Sequence, residues 1–216
     1  MIKYPKIETL YNRDAATFKV TDELRLPEFG LVNEWLITEK VDGTNVRVHW
    51  NGLDVRFGGR TDNAQMPTFL LDHLQRTFGD ELLDEVFGHG DEPCGGDTSV
   101  TLFGEGYGPK IQKGGGYRDN ASFRLFDVRV GDWWLNWPDV EDVAEKLGIL
   151  TVPVLARDVD LFQALNLTIG DWPSATARED GGTGCIAEGI VARTDPLLLT
   201  RRGRRLMFKL KGKDFG

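Results

Sequence analysis

Cysteine is scarce: the 216 residues contain only Cys94 and Cys185. Without Cys-x-x-Cys spacing they predict neither a disulfide framework nor a zinc site, and two reduced thiols in a cytoplasmic protein are the expectation. Long apolar runs are also missing, and none approaches the ~18 residues that a membrane span needs. No apolar stretch follows Met1-Ile2-Lys3-Tyr4-Pro5-Lys6, so neither a signal peptide nor a membrane partner is expected. Repeats, low-complexity tracts and a linker are absent, which predicts a single, monomeric domain over residues 1–216 with no separate C-terminal domain. Hydrophobic residues at 40% are ample for its core. Positive charge is in deficit too. A net charge of −8 excludes a protein coated in cations for nucleic acid.

The charge is unevenly distributed. Residues 201 to 216 hold Arg201, Arg202, Arg204, Arg205, Lys209, Lys211 and Lys213 against Asp214 alone, a net of +6 that leaves −14 for the rest. The segment Arg201–Lys213 is therefore either a basic contact for nucleic acid or a solvated edge guarded by cations. Patterning points to an α+β fold with antiparallel sheets. Val46, Val48 and Trp50 alternate with Arg47 and His49, the period of a half-buried strand. Asn51-Gly52 predicts a tight hairpin turn into Leu53, Val55 and Phe57. Helices are expected over 67–78, 139–147 and 160–167, and strands over 99–103, 123–130, 187–193 and 206–210. The polar, glycine-rich stretch 171–184 reads as a surface loop. His49 and His73 fit surface or packing positions, and His89 lies in a Gly/Asp loop.

Chemistry concentrates in Glu39-Lys40-Val41-Asp42-Gly43-Thr44-Asn45, just ahead of the hairpin. A lysine there can point its amine into a cleft, and Gly43 permits a tight turn or close backbone approach. Protonated lysine is a poor nucleophile, but neighbouring cations or desolvation favour the neutral amine. Alone the segment is a weak signal, because Lys, Asp and Gly are common in surface turns. It is followed in order by Gly59-Arg60-Thr61, Leu102-Phe103-Gly104-Glu105-Gly106, Phe123-Arg124-Leu125-Phe126-Asp127, Glu188-Gly189-Ile190-Val191-Ala192-Arg193 and Phe208-Lys209-Leu210-Lys211. This order and spacing, from Glu39 to Lys211, resemble the covalent nucleotidyltransferase superfamily of DNA ligases, RNA ligases and mRNA capping enzymes.

Within it the chain is most similar to the phage-type RNA ligase 2 family. The run from Gly104-Glu105-Gly106 through Gly108-Pro109 to Gln112-Lys113-Gly114 carries that likeness, as does Asn45, where DNA ligases and capping enzymes usually place Arg. Two departures stand out: Asp42, where RNA ligase 2 proteins often have His, and Arg193, where the motif usually ends in Lys. The resemblance implies an ATP-grasp-like nucleotidyltransferase domain and an ATP-dependent ligase acting on RNA. Lys40 would attack the α-phosphorus of ATP and carry AMP. Lys209 and Lys211 alternate on a strand, share a side, and would neutralise the phosphate. Glu105 would accept from a ribose hydroxyl, and Phe123 would stack on adenine, with Phe126 left to the core. Glu188 would help hold Mg2+ or Mn2+, and Arg60 would contact phosphate or the RNA end. Glu39 and Asn45 would shape the pocket. The competing readings are a DNA ligase, a capping-type guanylyltransferase, or a non-catalytic nucleic-acid binder on the same fold.

Overall fold

The computed structural model describes residues 1–88, 99–112 and 116–214. His89, Cys94, Lys113 and Gly114 lie outside them. In chain order the elements are β1 (Glu8–Thr9), β2 (Tyr11–Arg13), β3 (Val20–Leu24), β4 (Trp35–Glu39), β5 (Thr44–Trp50), β6 (Val55–Gly58), α1 (Thr68–Thr77) and α2 (Asp80–Phe87). Next come β7 (Val100–Tyr107), β8 (Ser122–Val130), β9 (Trp133–Trp134), α3 (Trp137–Lys146) and β10 (Leu150–Thr151). The chain closes with β11 (Val154–Val159), α4 (Leu161–Asn166), α5 (Ala175–Glu179), β12 (Gly189–Arg193) and β13 (Met207–Lys211). No helix among the described residues is long and apolar enough to cross a membrane. The single domain expected from the missing linker divides into two compact units, Met1–Tyr4 with Asp42–Thr151, and Pro5–Val41 with Val152–Gly216. The chain passes between them three times, at Tyr4/Pro5, Val41/Asp42 and Thr151/Val152, and the last two crossings are short connections next to strands, not long linkers.

The unit holding Asp42–Thr151 is built on a sheet in the order β10-β8-β7-β5-β6, with β9 added to β8. The alternation at Val46, Val48 and Trp50 buries one face as expected, opposite Gly104, Leu102 and Val100 of β7. Helix α1 covers that face: a Cβ placed on Gly106 would lie 2.6 Å from Leu70 and 3.0 Å from Val46. The hairpin forms, but its connection is a four-residue loop over Asn51–Asp54, since Trp50 pairs with Val55. Asn51 shapes the loop by accepting from the Leu53 and Asp54 amides at 3.0 and 2.8 Å, an Asx-turn in place of the tight two-residue turn.

The opposite face departs from a half-buried strand. Arg47 is completely buried. Its Nε donates to Gly59 O at 2.6 Å, its Nη1 to Met1 O and Ile2 O at 3.1 Å each, and its Nη2 to Asp62 at 2.9 Å. Residues Met1–Tyr4 return over this face, and Tyr4 packs on Phe103, Phe126 and Trp134. Arg47→Ala would leave several buried carbonyls without donors, each costing about 1–3 kcal/mol. We expect a loss of roughly 3 kcal/mol or more, read as a lower urea midpoint at unchanged slope; a midpoint within error of wild type would show that water replaces the guanidinium.

In the other unit the sheet runs β1-β13-β12-β4-β11, with β2 and β3 paired beside it. Trp35 and Ile37 of β4, Ile190 and Ala192 of β12, and Phe208 and Leu210 of β13 fill its core with Leu10 and Phe29. Alternation then sets the other residues of these strands, Thr38, Val191, Lys209 and Lys211, on the opposite face. The stretch 171–184 is not simply a loop. It contains α5, whose start is fixed by Ser174 accepting from the Ala177 amide at 3.0 Å, the usual service of a serine N-cap.

Candidate active site

Lys40 follows Glu39 at the end of β4, and its amide donates to Gly189 O at 2.8 Å. By the two-residue period it belongs to the face of Thr38, as Lys209 and Lys211 do. Glu188 stands one residue ahead of β12 and would point to the core face in a regular strand. Gly189 breaks the pleat with φ 154°, and a Cβ there would sit 2.0 Å from Leu210 O. Only glycine lets β12 approach β13 this closely. The Glu188 carboxylate meets both cations: Lys40 Nζ donates to Oε2 and Lys211 Nζ donates to Oε1. Burial pushes the Glu188 carboxyl up, but Lys40 and Lys211 beside it outweigh burial and hold it below the usual glutamate range. The structure thus joins three of the expected residues, drawn from positions 40, 188 and 211, in one ion cluster. Lys209 shares the face of Lys211 two residues away.

Glu39 does something else. Its carboxylate is buried, accepting from Ser174 Oγ at 2.5 Å and from the Thr176 amide at 2.9 Å. It anchors the first turn of α5, where negative charge is favourable, and so fixes the strand end that carries Lys40. Both of its carboxylate oxygens accept from the protein's own donors.

The remaining expected residues belong to the Asp42–Thr151 unit. Asn45, Glu105 and Arg124 form one cross-strand row, with Asn45 opposite Glu105 and Glu105 opposite Arg124. Asn45 Oδ1 is buried and has no hydrogen-bond partner among the described residues, as expected of a group awaiting a ligand. Gly43 is required by the protein itself: a Cβ would lie 2.3 Å from Gly106 O and 2.9 Å from Glu105 Cγ. Arg60 is exposed beyond β6, following Gly59, whose carbonyl Arg47 holds. Arg47 is the positioning residue that sequence reasoning missed, because its place in an alternating strand looked solvated.

Phe123 is not beside Glu105. It is 5% exposed, meets Phe78 edge-on, and lies over Gly104, where a Cβ would come within 2.1 Å of its ring. That is the helix-covered face, so Phe123 belongs to the core. Phe126 occupies the other face. The β7–β8 register slips between Phe103↔Asp127 and Gly104↔Leu125, which makes Phe126 the extra residue of a bulge and turns it toward Tyr4. Its half-buried ring shares the face of Phe103, and hence of Glu105. The structure therefore places Phe123 in the core and Phe126 on the opposite face of the sheet. Alternation alone could not reveal this, since a bulge inverts the faces of all later residues.

No group of three or more His, Cys, Asp or Glu among the described residues could hold a metal. Glu188 fits the other mode, in which a hard cation keeps most of its waters and takes one or two carboxylates plus substrate phosphates.

These arrangements can be set beside known proteins. No curated protein matches the chain by sequence. Among solved structures, a variant of Naegleria gruberi RNA ligase with ATP and Mn is 19% identical, with a TM-score of 0.67 over 97% of this chain and 56% of that one. The same enzyme with PPi gives 19% identity and a TM-score of 0.63, covering 98% and 62% of the two chains. A variant with AMP and Mn gives 20% and 0.62, again covering 98% and 62%. These likenesses establish the shared fold, and the chain spans only 56–62% of those proteins. The RNA ligase family model matches residues 33–211, a span that takes in the Lys40 segment, Glu188 and the Lys209/Lys211 strand. On that match the chain belongs to the RNA ligase family.

Proposed function

We propose that the protein is an ATP-dependent RNA ligase that works through a lysyl-AMP intermediate on Lys40. The observation carrying this reading is the meeting of Lys40, Glu188 and Lys211 in one cluster from three distant segments. The Lys40 ammonium leaves the Glu188 carboxylate and loses its proton to solvent, and the neutral amine attacks the α-phosphorus of ATP; an N–P bond forms as the bond to the β-phosphate oxygen breaks and pyrophosphate departs. A 5′-phosphate oxygen then attacks the same phosphorus and releases Lys40. Finally a 3′-hydroxyl attacks the activated end and AMP leaves. Such transfers depend on positioning and charge neutralisation, which Lys209 and Lys211 supply. A divalent cation, Mg2+ or Mn2+, held with the help of Glu188 would add neutralisation of the phosphates. Glu105 accepts from a ribose hydroxyl, Asn45 Oδ1 from a donor of the bound nucleotide or its water, and Arg60 contacts phosphate. The relatives with ATP and Mn or AMP and Mn favour adenine over guanine.

RNA is the proposed partner, with the basic segment Arg201–Lys213 as one contact. Thr200 to Arg204 form a tight turn, with Thr200 N to Arg204 O at 2.7 Å and Gly203 at φ 71°, and Arg201, Arg202 and Arg204 are exposed.

The test is incubation with α-labelled ATP and Mg2+ or Mn2+, a denaturing gel, and addition of 5′-phosphorylated RNA with a 3′-hydroxyl partner. Labelled protein, then labelled RNA, then sealed product is the expected order; failure of ATP to label the protein would overturn the reading. A finer result concerns the base. Phe126→Ala should weaken ATP affinity by about 1–3 kcal/mol, the worth of an aromatic–base stack, with a smaller loss of stability than Phe123→Ala, since its half-buried ring packs on Tyr4. Phe123→Ala should instead cost about 3–5 kcal/mol of stability, with ATP affinity of the folded protein retained. The opposite split, read by titration and thermal melts, would return the stacking role to Phe123.

A further inference from the structure

The Asp42–Thr151 unit carries a groove of about 800 Å3 between α1 and the loop that follows β7. Phe69, His73 and Arg76 line it from α1, at the spacing of one helix face, and Lys110, Arg118 and Asp119 from the loop. Three permanent cations and a histidine thus face a single carboxylate, on a chain whose net charge is −8. Local bonds orient these cations. Arg76 Nε donates to Asp72 O at 3.0 Å and Arg118 Nη1 to Ser122 Oγ at 2.9 Å. Lys110 is held at φ 65° after Gly108, with the Ile111 amide closing the turn on Gly108 O at 3.1 Å. Burial first, and then Arg118 and Arg76 beside it, hold the His73 imidazole below its usual range. At the mouth Phe69 is 40% exposed, a large aromatic that contributes no core area to match its size.

A cationic groove with an exposed aromatic is the chemistry that holds unpaired nucleic acid: cations follow the phosphates and a ring takes a base. We infer that this groove binds a single-stranded stretch of the RNA substrate, with one base on Phe69 and neighbouring phosphates on Arg76, Lys110 and Arg118. The inference rests on the ligase reading for the identity of the strand.

The test uses the full chain and a fluorescent 12-nucleotide RNA lacking a 5′-phosphate, with anisotropy measured at several salt concentrations. Arg76→Gln and Lys110→Gln, both at exposed positions, should each weaken binding and reduce the salt slope by about 0.7. Phe69→Ala and Phe69→Leu should each lose about tenfold at an unchanged slope, since leucine keeps apolar area but offers no ring to stack. Self-adenylylation, measured in parallel, should stay within twofold of wild type in all four variants. Failure of wild-type labelling would sink the ligase reading, while the RNA titrations would still decide the groove. Unchanged RNA affinity and slope in the combined Phe69, Arg76 and Lys110 variant would overturn the proposal. So would equal affinity and equal mutational sensitivity for a blunt duplex. Replacing Arg201, Arg202, Arg204 and Arg205 with Gln is the comparison arm. The groove proposal also fails if those four changes remove the whole salt dependence.

Discussion

Lys40→Ala is expected to abolish covalent labelling of the protein by α-labelled ATP, with loss to background rather than a partial decrease. The reason is stoichiometric: the phosphoramidate needs the Nζ atom, and no neighbouring residue substitutes for it. Lys211 shares the Glu188 carboxylate with Lys40, but Lys209 and Lys211 lie on another strand, β13, and are assigned to the phosphate, not to the attack. Lys40→Arg should fail as completely, because a guanidinium stays protonated and offers no lone pair for attack. The fold should survive either change. Lys40 is about one-fifth exposed, and Glu188 keeps Lys211 as a partner when Lys40 is lost, so the carboxylate is not left unpaired and thermal melts should fall by only a few degrees. The decisive measurement is mass mapping of the AMP adduct after gel separation. An adduct on any lysine other than Lys40, or a labelled Lys40→Ala protein, would remove the nucleophile assignment and the mechanism built on it.

Glu188→Ala should slow nucleotidyl transfer about 10²–10³-fold, as should Lys211→Ala, the range seen when one preorganised electrostatic group is removed from a transition state. The two variants should differ in metal response. Extra Mg2+ or Mn2+ should rescue Lys211→Ala in part, because added cation also neutralises phosphate, and should rescue Glu188→Ala poorly, because the carboxylate proposed to hold the cation is gone. Single-turnover rates across a metal titration would separate them, and identical metal curves would deny Glu188 its metal role. The same carboxylate predicts a pH dependence. Burial raises its pKa, and Lys40 with Lys211 lower it by more, so the net direction is down. A lowered acid contributes stability that is fully present above the ordinary glutamate range and is lost as pH falls through the depressed folded value. The Tm gap between wild type and Glu188→Gln should therefore hold from neutral pH down to that range and close only below it. A gap that closes on raising the pH, or never closes, would show that the cluster is not held by the charge of Glu188.

Much of this molecule was legible from order and period. The strands around Val46 and Val55, the helix after Pro67 and the pairing of Lys209 with Lys211 on one face follow from alternation, a proline at a helix start and the two-residue repeat of a strand. Helix α2 was missed although Asp80 and Glu81 stand in its first turn, where acids suit the helix dipole; its eight residues follow Gly79, which reads as an ending. The hidden helix α5 sat inside a run of Asp, Ser and Gly, and its first turn depends on Glu39, 135 residues away from Ser174 in the chain. No local pattern encodes such a contact.

By itself the sequence determined the chemical inventory: an amine at 40 beside a glycine, a carboxylate at 188, two lysines on a closing strand, and their order along the chain. It also determined which strands alternate, because apolar periodicity is a property of neighbours. Tertiary structure alone decided three things. It buried Arg47, because the returning residues Met1–Tyr4 bring carbonyls that need donors. It set Phe123 in the core, opposite Gly106 and against Phe78, and turned Phe126 onto the other face by a one-residue bulge in β8. It joined Lys40, Glu188 and Lys211, because Gly189, lacking a side chain, lets the start of β12 close onto Leu210 of β13. Each is a contact between residues distant in the chain, and the free energy that selects it is absent from any local window of sequence.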